Sequence, residues 1–326
     1  MVLCGIRYYE SHFQRPLAAR CIKYLEAVAC LLAGILVACS THATGLGRTS
    51  TVFVILMENH NWSDIKGNPE APYINHSLLP LASYAAHYFN PPGVHPSEPN
   101  YLWLEAGSNF SILNDDPPST NHQSTPRHFV TLLKNSGISW RTYQEGITGS
   151  ICPTSDTASY VVKHNPFAFF DDVTGPGCTE VMRPFTELAG DLENNKVPHY
   201  VFITPNLCHD MHDSCPPTNN PVKQGDDWLA RNLPMILKSA AFHKGVVFII
   251  WDESEDSERG DFPIGMIILS PFAKGGGYFN TIHYTHSATL QTLQKIFGVT
   301  PFLGDAANGP DLSDLFVDGA IPETHR

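Results

Sequence analysis

Two short pairs of residues with carboxylate or amide side chains are candidates for chemistry. Each pair directly follows an apolar run. Glu58 and Asn59 form the first pair, and Asp252 and Glu253 form the second. Carboxylate and amide oxygens are the ligands that hard divalent cations prefer. Acidic residues after a strand can also cap the next helix. Two such pairs favour a cation site suited to Mg²⁺, Ca²⁺ or Mn²⁺, or to Zn²⁺ if a histidine joins.

The segment HPSEPN contains a serine, Ser97, that lies between two prolines just before a run able to start a helix. The unpaired N–H groups at a helix N-terminus would stabilise a bound phosphate and lower the pKa of the serine hydroxyl. Ser97 could therefore act as a nucleophile towards phosphorus. An N-cap serine without any chemistry is an equally consistent interpretation.

Four of the 16 histidines lie at predicted loops or helix starts: His164, His212, His283 and His286. An imidazole there could donate to phosphoryl oxygens or protonate a leaving alkoxide. A single histidine is more often a surface or core residue than a catalyst, so histidine position alone does not establish a role.

Short apolar runs and amphipathic segments alternate along the chain. Strands buried on both faces are predicted at 51–57, 200–204, 246–251 and 264–269. Helices are predicted at 125–136, 226–241 and 285–297. This alternation predicts an α/β fold, a three-layer sandwich whose mostly parallel central sheet has helices on both faces. Ligands bind beyond the carboxyl ends of parallel strands, so the two acidic pairs should converge there.

The composition limits the classes of partner. The chain has 326 residues with 42% apolar content and a net charge of -12, enough for one sizeable core but without the basic field that nucleic-acid binding needs. An acidic surface repels phosphate esters, so a bound cation would be the simplest way to capture them. The motifs of α/β-hydrolases, P-loop NTPases and zincins are missing from the sequence.

The N-terminus carries basic residues followed by the apolar run AVACLLAGILVACS, which is typical of a signal peptide. The sequence Leu-Val-Ala-Cys ending at Cys39 resembles a bacterial lipobox, so Cys39 is expected to be lipidated; cleavage near Ala43 is the alternative. We expect a signal peptide at 1–38, a tether at 39–50 and one catalytic domain at 51–326. The protein would be exported, as a periplasmic or cell-surface lipoprotein or in secreted form.

Four cysteines follow in the predicted mature chain: Cys152, Cys178, Cys208 and Cys215. An even number in an oxidising compartment predicts disulfides. Pairing of near neighbours joins Cys152 to Cys178 and Cys208 to Cys215. A zinc cluster is the alternative, although the sequence contains no CxxC pair.

The order of the motifs resembles a known family over about residues 51–300. The motifs are ILMENHNW, HPSEPNYLWLEAGSNF, ISWRTYQEG, KHNPF, PNLCHDMHD, GDDWL, WDESE, SPFAK and YTHSATLQTLQKIFG. They resemble the bacterial and fungal phosphoesterases that include secreted acid phosphatases and phospholipases C. This family is a branch of the alkaline phosphatase-like superfamily, and the chain is most similar to its compact acid phosphatases.

The resemblance implies one divalent metal ion, of unknown identity, whose ligands are Glu58, Asn59, Ser97, Asp252 and Glu253. It also implies that Ser97 is the nucleophile. The larger acid phosphatases have two aspartates where this chain has Asp252 and Glu253. Glu253 is therefore expected to bind the metal in a different way, or to contact the metal ligands without binding the metal itself.

Further site residues follow from the same resemblance. The histidines that contact phosphate in the family match His164 and His212. A late histidine that helps to bind substrate falls at His286, with His283 as the close competitor. Asn100, early in the helix predicted after Ser97, is also expected to contact the substrate.

The sequence thus predicts an exported, metal-dependent phosphomonoesterase that hydrolyses small phosphate esters through a phosphoserine intermediate. A phosphodiesterase or phospholipase C acting on a phospholipid headgroup, or a phosphoinositide phosphatase, is the alternative. A noncatalytic surface-binding protein with the same fold is a more distant one. The oligomeric state is not predicted, and membrane contact is expected only through Cys39.

Overall fold

The computed structural model describes residues 45–255 and 260–323. The predicted signal peptide, Cys39 and the first part of the tether lie outside these ranges. The strands are β1 (Val52–Met57), β2 (Ser83–Ala85), β3 (Tyr88–Phe89), β4 (Trp140–Gln144), β5 (Met182–Pro184), β6 (Tyr200–Thr204), β7 (Val246–Trp251), β8 (Met266–Leu269), β9 (Tyr278–Asn280) and β10 (Tyr284–Thr285).

Helices of varying length connect these strands. They are α1 (Trp62–Ile65), α2 (Ser97–Ala106), α3 (Pro118–Asn121), α4 (Phe129–Asn135), α5 (Asp171–Thr174), α6 (Cys178–Val181), α7 (Leu188–Glu193), α8 (Pro221–Leu237) and α9 (His286–Phe297). Single 3₁₀ turns cover Val162–His164, Pro166–Phe169, Phe185–Glu187, Phe242–Lys244, Gly304–Ala307 and Ser313–Leu315, and a π-helical turn covers Ile74–Leu78. Among the described residues, no helix has both the length and the apolar character that a membrane crossing requires.

The main sheet has eight strands in the order β5-β4-β6-β1-β7-β8-β2-β9. The strands from β5 to β7 in this order are parallel to their neighbours, whereas β8 is antiparallel to both β7 and β2. β3 and β10 form a separate parallel pair. The predicted mostly parallel α/β sheet is therefore confirmed.

The strand predicted at 264–269 differs from its prediction, because β8 is shorter and runs in the opposite direction. A parallel connection needs a crossover, usually a helix. The described residues between β7 and β8 form no helix, and β8 pairs with β7 in the antiparallel direction. The carboxyl end of β8 consequently lies at the edge of the sheet away from Glu58.

Helices cover both faces of the sheet. On one face, the rings of Phe129 in α4 and Phe297 in α9 lie 5.0 Å and 6.3 Å from the ring of Tyr200 in β6. Met57 in β1 points to the opposite face, because its offset from the Val52–Tyr200 pair is odd. There it packs against Gly225 of α8, where a Cβ atom would come within 2.9 Å of the Met57 Cε.

The predicted helices exist, but one boundary was wrong. The segments 125–136 and 285–297 contain α4 and α9. The helix predicted at 226–241 begins earlier, at Pro221, because proline fits the first helical turn and the Asn220 side chain accepts a hydrogen bond from the Lys223 N–H at 3.1 Å.

Both predicted disulfides are confirmed. Cys152 is bonded to Cys178, and Cys208 is bonded to Cys215. The second bond closes the loop that follows β6, whose strand end lies beside that of β1 in the sheet. By limiting the conformations of this loop in the unfolded chain, the bond favours the folded arrangement.

Candidate active site

The ends of β1 and β7 bring the two acidic pairs together. Met57 is in register with Trp251, so Glu58 and Asp252 leave neighbouring strands at the same edge. The backbone N–H of Asn59 donates to Asp252 Oδ1 at 2.9 Å. Asn59 adopts a φ of 46°, a left-handed conformation that asparagine tolerates better than most residues. The predicted convergence of the two pairs is therefore present in the structure.

Ser97 is the first residue of α2, and Pro96 occupies the N-cap position. The Ser97 Oγ donates to Glu58 Oε2 at 3.1 Å and lies 3.4 Å from Glu253 Oε1. Its hydroxyl is therefore directed at two carboxylates rather than at the N–H groups of the helix. The interpretation of Ser97 as a helix cap is wrong.

The first turn of α2 offers fewer free N–H groups than the sequence suggested. The N–H of Glu98 donates to Asp115 Oδ1 at 3.0 Å, and Pro99 has no N–H. Carboxylates, and not the helix terminus, are thus the dominant groups around the Ser97 hydroxyl.

His164 lies between two buried carboxylates. Its Nε2 is 3.3 Å from Glu58 Oε1, and its Nδ1 is 3.3 Å from Asp210 Oδ2. The ring stacks on that of Tyr101 with 5.2 Å between centroids. Burial, followed by the charges of Lys163 and His212, holds the pKa of His164 well below its usual value. A neutral imidazole at this position can donate one proton or bind a metal.

His212 lies beside His164, with 5.5 Å between the ring centroids. It is partly exposed, and its Nδ1 is 2.7 Å from Asp213 Oδ1. One ligand atom from each of Glu58, His164 and His212 falls within a common 4.8 Å range. The structure therefore places both predicted catalytic histidines near the carboxylates.

The three residues predicted to bind substrate lie in three different environments. His286 is fully buried at the start of α9, where its Nε2 donates to the Asp252 backbone oxygen at 2.6 Å and its Nδ1 lies 3.1 Å from the Tyr88 hydroxyl. Both nitrogens face protein groups, so a direct substrate contact by His286 is contradicted. His283 is exposed, and its ring packs 4.7 Å from that of Phe89.

Asn100 is also committed to the protein. Its side-chain NH₂ donates to the backbone oxygens of Val94 and Pro96 at 2.9 Å and 3.1 Å, and lies 3.4 Å from Glu253 Oε2. These contacts fix the loop in front of Ser97. The carboxamide oxygen of Asn100 is buried without a partner among the described residues. It is therefore the polar atom of this side chain that is still free for a ligand.

Sequence reasoning missed Asp210. This residue is completely buried, its backbone oxygen accepts from the Glu58 N–H at 2.8 Å, and its Oδ1 accepts from the His212 N–H at 2.9 Å. Asp210 follows the apolar strand β6 in the HDMHD motif. It lies in the loop after this third parallel strand and not directly at the strand end, so the rule that selected the acidic residues after β1 and β7 does not find it.

Tyr101 and His95 were also missed. The Tyr101 hydroxyl donates to Glu58 Oε1, and His95 contacts Glu253 Oε2 through Nδ1 and Asp261 Oδ1 through Nε2 at 2.9 Å. Burial lowers the pKa of His95, but the bonds to Glu253 and Asp261 outweigh burial and raise it to about 9. His95 is therefore a cation at neutral pH that orients Glu253 beside Ser97.

The buried carboxylates repel one another. Burial, followed by the charges of Asp252 and Asp210, raises the pKa of Glu58 well above its usual value. Burial and then Glu253 raise the pKa of Asp252 to about 7. Asp252 Oδ2, Asp210 Oδ2 and His164 Nε2 are buried without a hydrogen-bond partner in the part of the chain that the structure describes. A divalent cation would satisfy such atoms and offset the repulsion, so the residues present fit a metal ion.

The site opens into a cleft of about 340 Å³, whose volume suits a small ligand. Its walls are formed by Asn59, His60, His95, Pro96, Met211, His212, Pro221, Glu253, Ser254 and Glu255. His212 and Glu253 thus face the cleft. A larger cavity of about 480 Å³, lined in part by Lys134, Trp140 and Glu180, contains none of the predicted site residues.

Comparison with known proteins gives consistent matches. The model of the Phosphoesterase family matches residues 81–300. A phosphatidylinositol-3-phosphatase of Mycobacterium tuberculosis is 30% identical over 276 residues, which cover 85% of this chain and 86% of that protein. An acid phosphatase of Aspergillus niger is 33% identical over 275 residues, 79% of this chain but only 61% of that protein.

A solved structure supports the fold. A protein in the alkaline phosphatase superfamily from Vibrio parahaemolyticus superimposes with a TM-score of 0.56 at 14% sequence identity, covering 84% of this chain and 73% of that one. At this identity the likeness establishes the shared fold alone. The fold predicted from the sequence and that of a superfamily member therefore agree.

Removal of the Tyr101 hydroxyl tests the importance of the Glu58 contact. A hydrogen bond to a charged group contributes about 1.5–3 kcal/mol, so Tyr101→Phe should lower kcat/KM for a phosphate ester roughly 10- to 100-fold. Tyr143→Phe is the matched control, because it removes a hydroxyl bonded to the Asp191 carboxylate at 2.5 Å, outside the site. Equal losses of kcat/KM in the two variants would contradict a specific role for Tyr101.

Proposed function

Because the chain belongs to the Phosphoesterase family, and is a hydrolase of phosphoric ester bonds, we propose that it is a metal-dependent phosphomonoesterase with Ser97 as its nucleophile. One observation carries this proposal: the Ser97 hydroxyl donates to Glu58 and lies beside Glu253 within a buried cluster of carboxylates. A serine that merely capped a helix would be directed at backbone N–H groups.

The proposed ligands of one divalent metal ion are Glu58, Asn59, Ser97, Asp252 and Glu253. When bound, such an ion would supply positive charge that neutralises the carboxylates and lowers the pKa of the serine hydroxyl. Asp210 and His164 lie beside the same carboxylates and are the proposed additional ligands. The oxygen-rich set suits Mg²⁺, Ca²⁺ or Mn²⁺, and the histidines also allow Zn²⁺.

In the proposed reaction, Ser97 Oγ forms a bond to phosphorus while the bond from phosphorus to the leaving alcohol breaks. The serine proton has an acceptor in Glu58, to which it already points. His212 faces the cleft and is the proposed proton donor to the leaving alkoxide. Water then cleaves the phosphoserine, which releases phosphate and restores the hydroxyl.

His164, Tyr101 and His95 are proposed to act as positioning residues. Each contacts a carboxylate of the cluster, and none has to touch the substrate. Because a phosphoryl-transfer transition state is loose, catalysis depends mainly on positioning and charge neutralisation. These three side chains would hold Glu58 and Glu253 in fixed positions.

A phosphoinositide phosphatase is the second candidate function. The phosphatidylinositol-3-phosphatase relative matches over 86% of its own length, whereas the Aspergillus niger acid phosphatase is matched over 61% of its length. The match therefore spans most of the former protein but a smaller share of the latter. The reaction at Ser97 would be the same monoester cleavage, on a headgroup phosphate.

A substrate panel separates these functions. We expect turnover of p-nitrophenyl phosphate that is lost in EDTA, returns with a divalent cation, and falls roughly 1,000-fold or more in Ser97→Ala. Ser124→Ala is the control, since it removes an exposed serine hydroxyl bonded to the Asp171 carboxylate. Higher kcat/KM for phosphatidylinositol 3-phosphate would favour the second candidate. Preference for bis-p-nitrophenyl phosphate or phosphatidylcholine would instead contradict a monoesterase.

We also propose that residues 51–326 form one catalytic domain that is exported behind the 1–38 signal peptide, with the 39–50 tether attached to a lipidated Cys39. These N-terminal features lie mostly outside the described residues, so the proposal rests on the sequence pattern. Cys39→Ala should move the protein from the membrane fraction to the soluble fraction of cells, because one lipid-modified residue is the expected anchor. Unchanged partitioning would contradict lipidation.

A further inference from the structure

A second group of possible metal ligands lies next to the carboxylates around Ser97 but shares no residue with the ligands proposed there. His60 follows the Glu58-Asn59 pair, Glu255 follows the Asp252-Glu253 pair, and Asp64 lies in α1. His60 and Glu255 line the same cleft as His212. Two members of this group therefore lie in the wall of the cleft.

His60 is the residue that needs an explanation. Only 8% of it is exposed, and neither Nδ1 nor Nε2 has a hydrogen-bond partner within residues 45–255 and 260–323. An unsatisfied buried polar group costs about 1–3 kcal/mol. A buried imidazole with two unsatisfied nitrogens is therefore unfavourable unless a ligand occupies the space beside it.

The spacing of the group fits a cation better than a hydrogen bond. His60 Nδ1 is 3.6 Å from Glu255 Oε2, which is too long for a hydrogen bond. Two ligand atoms bound tetrahedrally to one Zn²⁺ at about 2.0–2.2 Å lie roughly 3.3–3.6 Å apart. One ligand atom from each of His60, Asp64 and Glu255 falls within a common 4.8 Å range, so small side-chain adjustments would complete such a site.

We propose that His60, Asp64 and Glu255 form a second divalent-cation site at the wall of the cleft. One imidazole and two carboxylates favour Zn²⁺ or another first-row transition metal over Mg²⁺. Three protein ligands leave one position open, as in sites where zinc binds water or an anionic oxygen. The cation would neutralise the negative charge that Asp64 and Glu255 present to an approaching phosphate ester.

Metal stoichiometry tests this site directly. Protein freed of metal is dialysed against Zn²⁺ alone, and the retained metal is measured by mass spectrometry for wild type, His60→Ala and the double variant Asp64→Asn with Glu255→Gln. We expect both variants to retain one equivalent fewer than wild type. His122→Ala is the matched control, because it removes an exposed histidine whose Nδ1 is 2.9 Å from Asp171 Oδ1, and it should retain the wild-type amount.

The two sites are distinguished by Glu58→Gln, which alters the cluster around Ser97 but keeps His60. The loss of metal caused by His60→Ala should appear equally in wild-type and Glu58→Gln backgrounds, whether or not the Ser97 cluster binds zinc. Wild-type stoichiometry in the Asp64→Asn, Glu255→Gln variant would overturn the second site. This double variant decides the question even if His60→Ala fails to fold, because it leaves the buried imidazole in place.

Discussion

Several carboxylates are held inside the protein at one edge of a parallel sheet, and the rest of the site is arranged around the cost of burying them. Glu58, Asp210 and Asp252 are completely inaccessible to solvent, and Glu253 is nearly so. Removing even one unpaired carboxylate from water costs several kcal/mol, and neighbouring like charges add to this cost. Such a cluster is stable only if protons, cationic side chains or a metal ion compensate its charge. The raised pKa values of Glu58, Asp210 and Asp252 have the same cause, because binding a proton also removes the charge of a buried carboxylate.

The surrounding elements each contribute one contact that fixes the cluster. Tyr101 of α2 donates to Glu58, His95 orients Glu253, and His286 at the start of α9 holds the backbone oxygen of Asp252. The Cys208–Cys215 disulfide closes the loop that carries Asp210. These contacts come from distant parts of the chain, so the geometry around Ser97 depends on the packing of the whole sandwich rather than on a local motif.

Much of this arrangement follows from local sequence. Apolar runs predicted the central strands, and the position of Glu58 and Asp252 directly after two of them predicted their convergence, because parallel strands end at a common edge. Proximity in sequence predicted the cysteine pairs. Asp210 lies further along the loop that follows β6, and its place in the site depends on how this loop folds back onto Glu58.

Other features depend on tertiary packing, which no local pattern encodes. The direction of β8 depends on how the chain returns from β7. His286 was predicted as a substrate ligand with His283 as its close competitor, yet His286 is buried against the Asp252 backbone and His283 lies at the surface. The role of Ser97 as the nucleophile is tested most directly by mass spectrometry of protein quenched in acid during turnover of a phosphate ester. We expect phosphate on Ser97 that is absent in Ser97→Ala. Turnover without phosphate on Ser97, or turnover that persists in Ser97→Ala, would contradict this role.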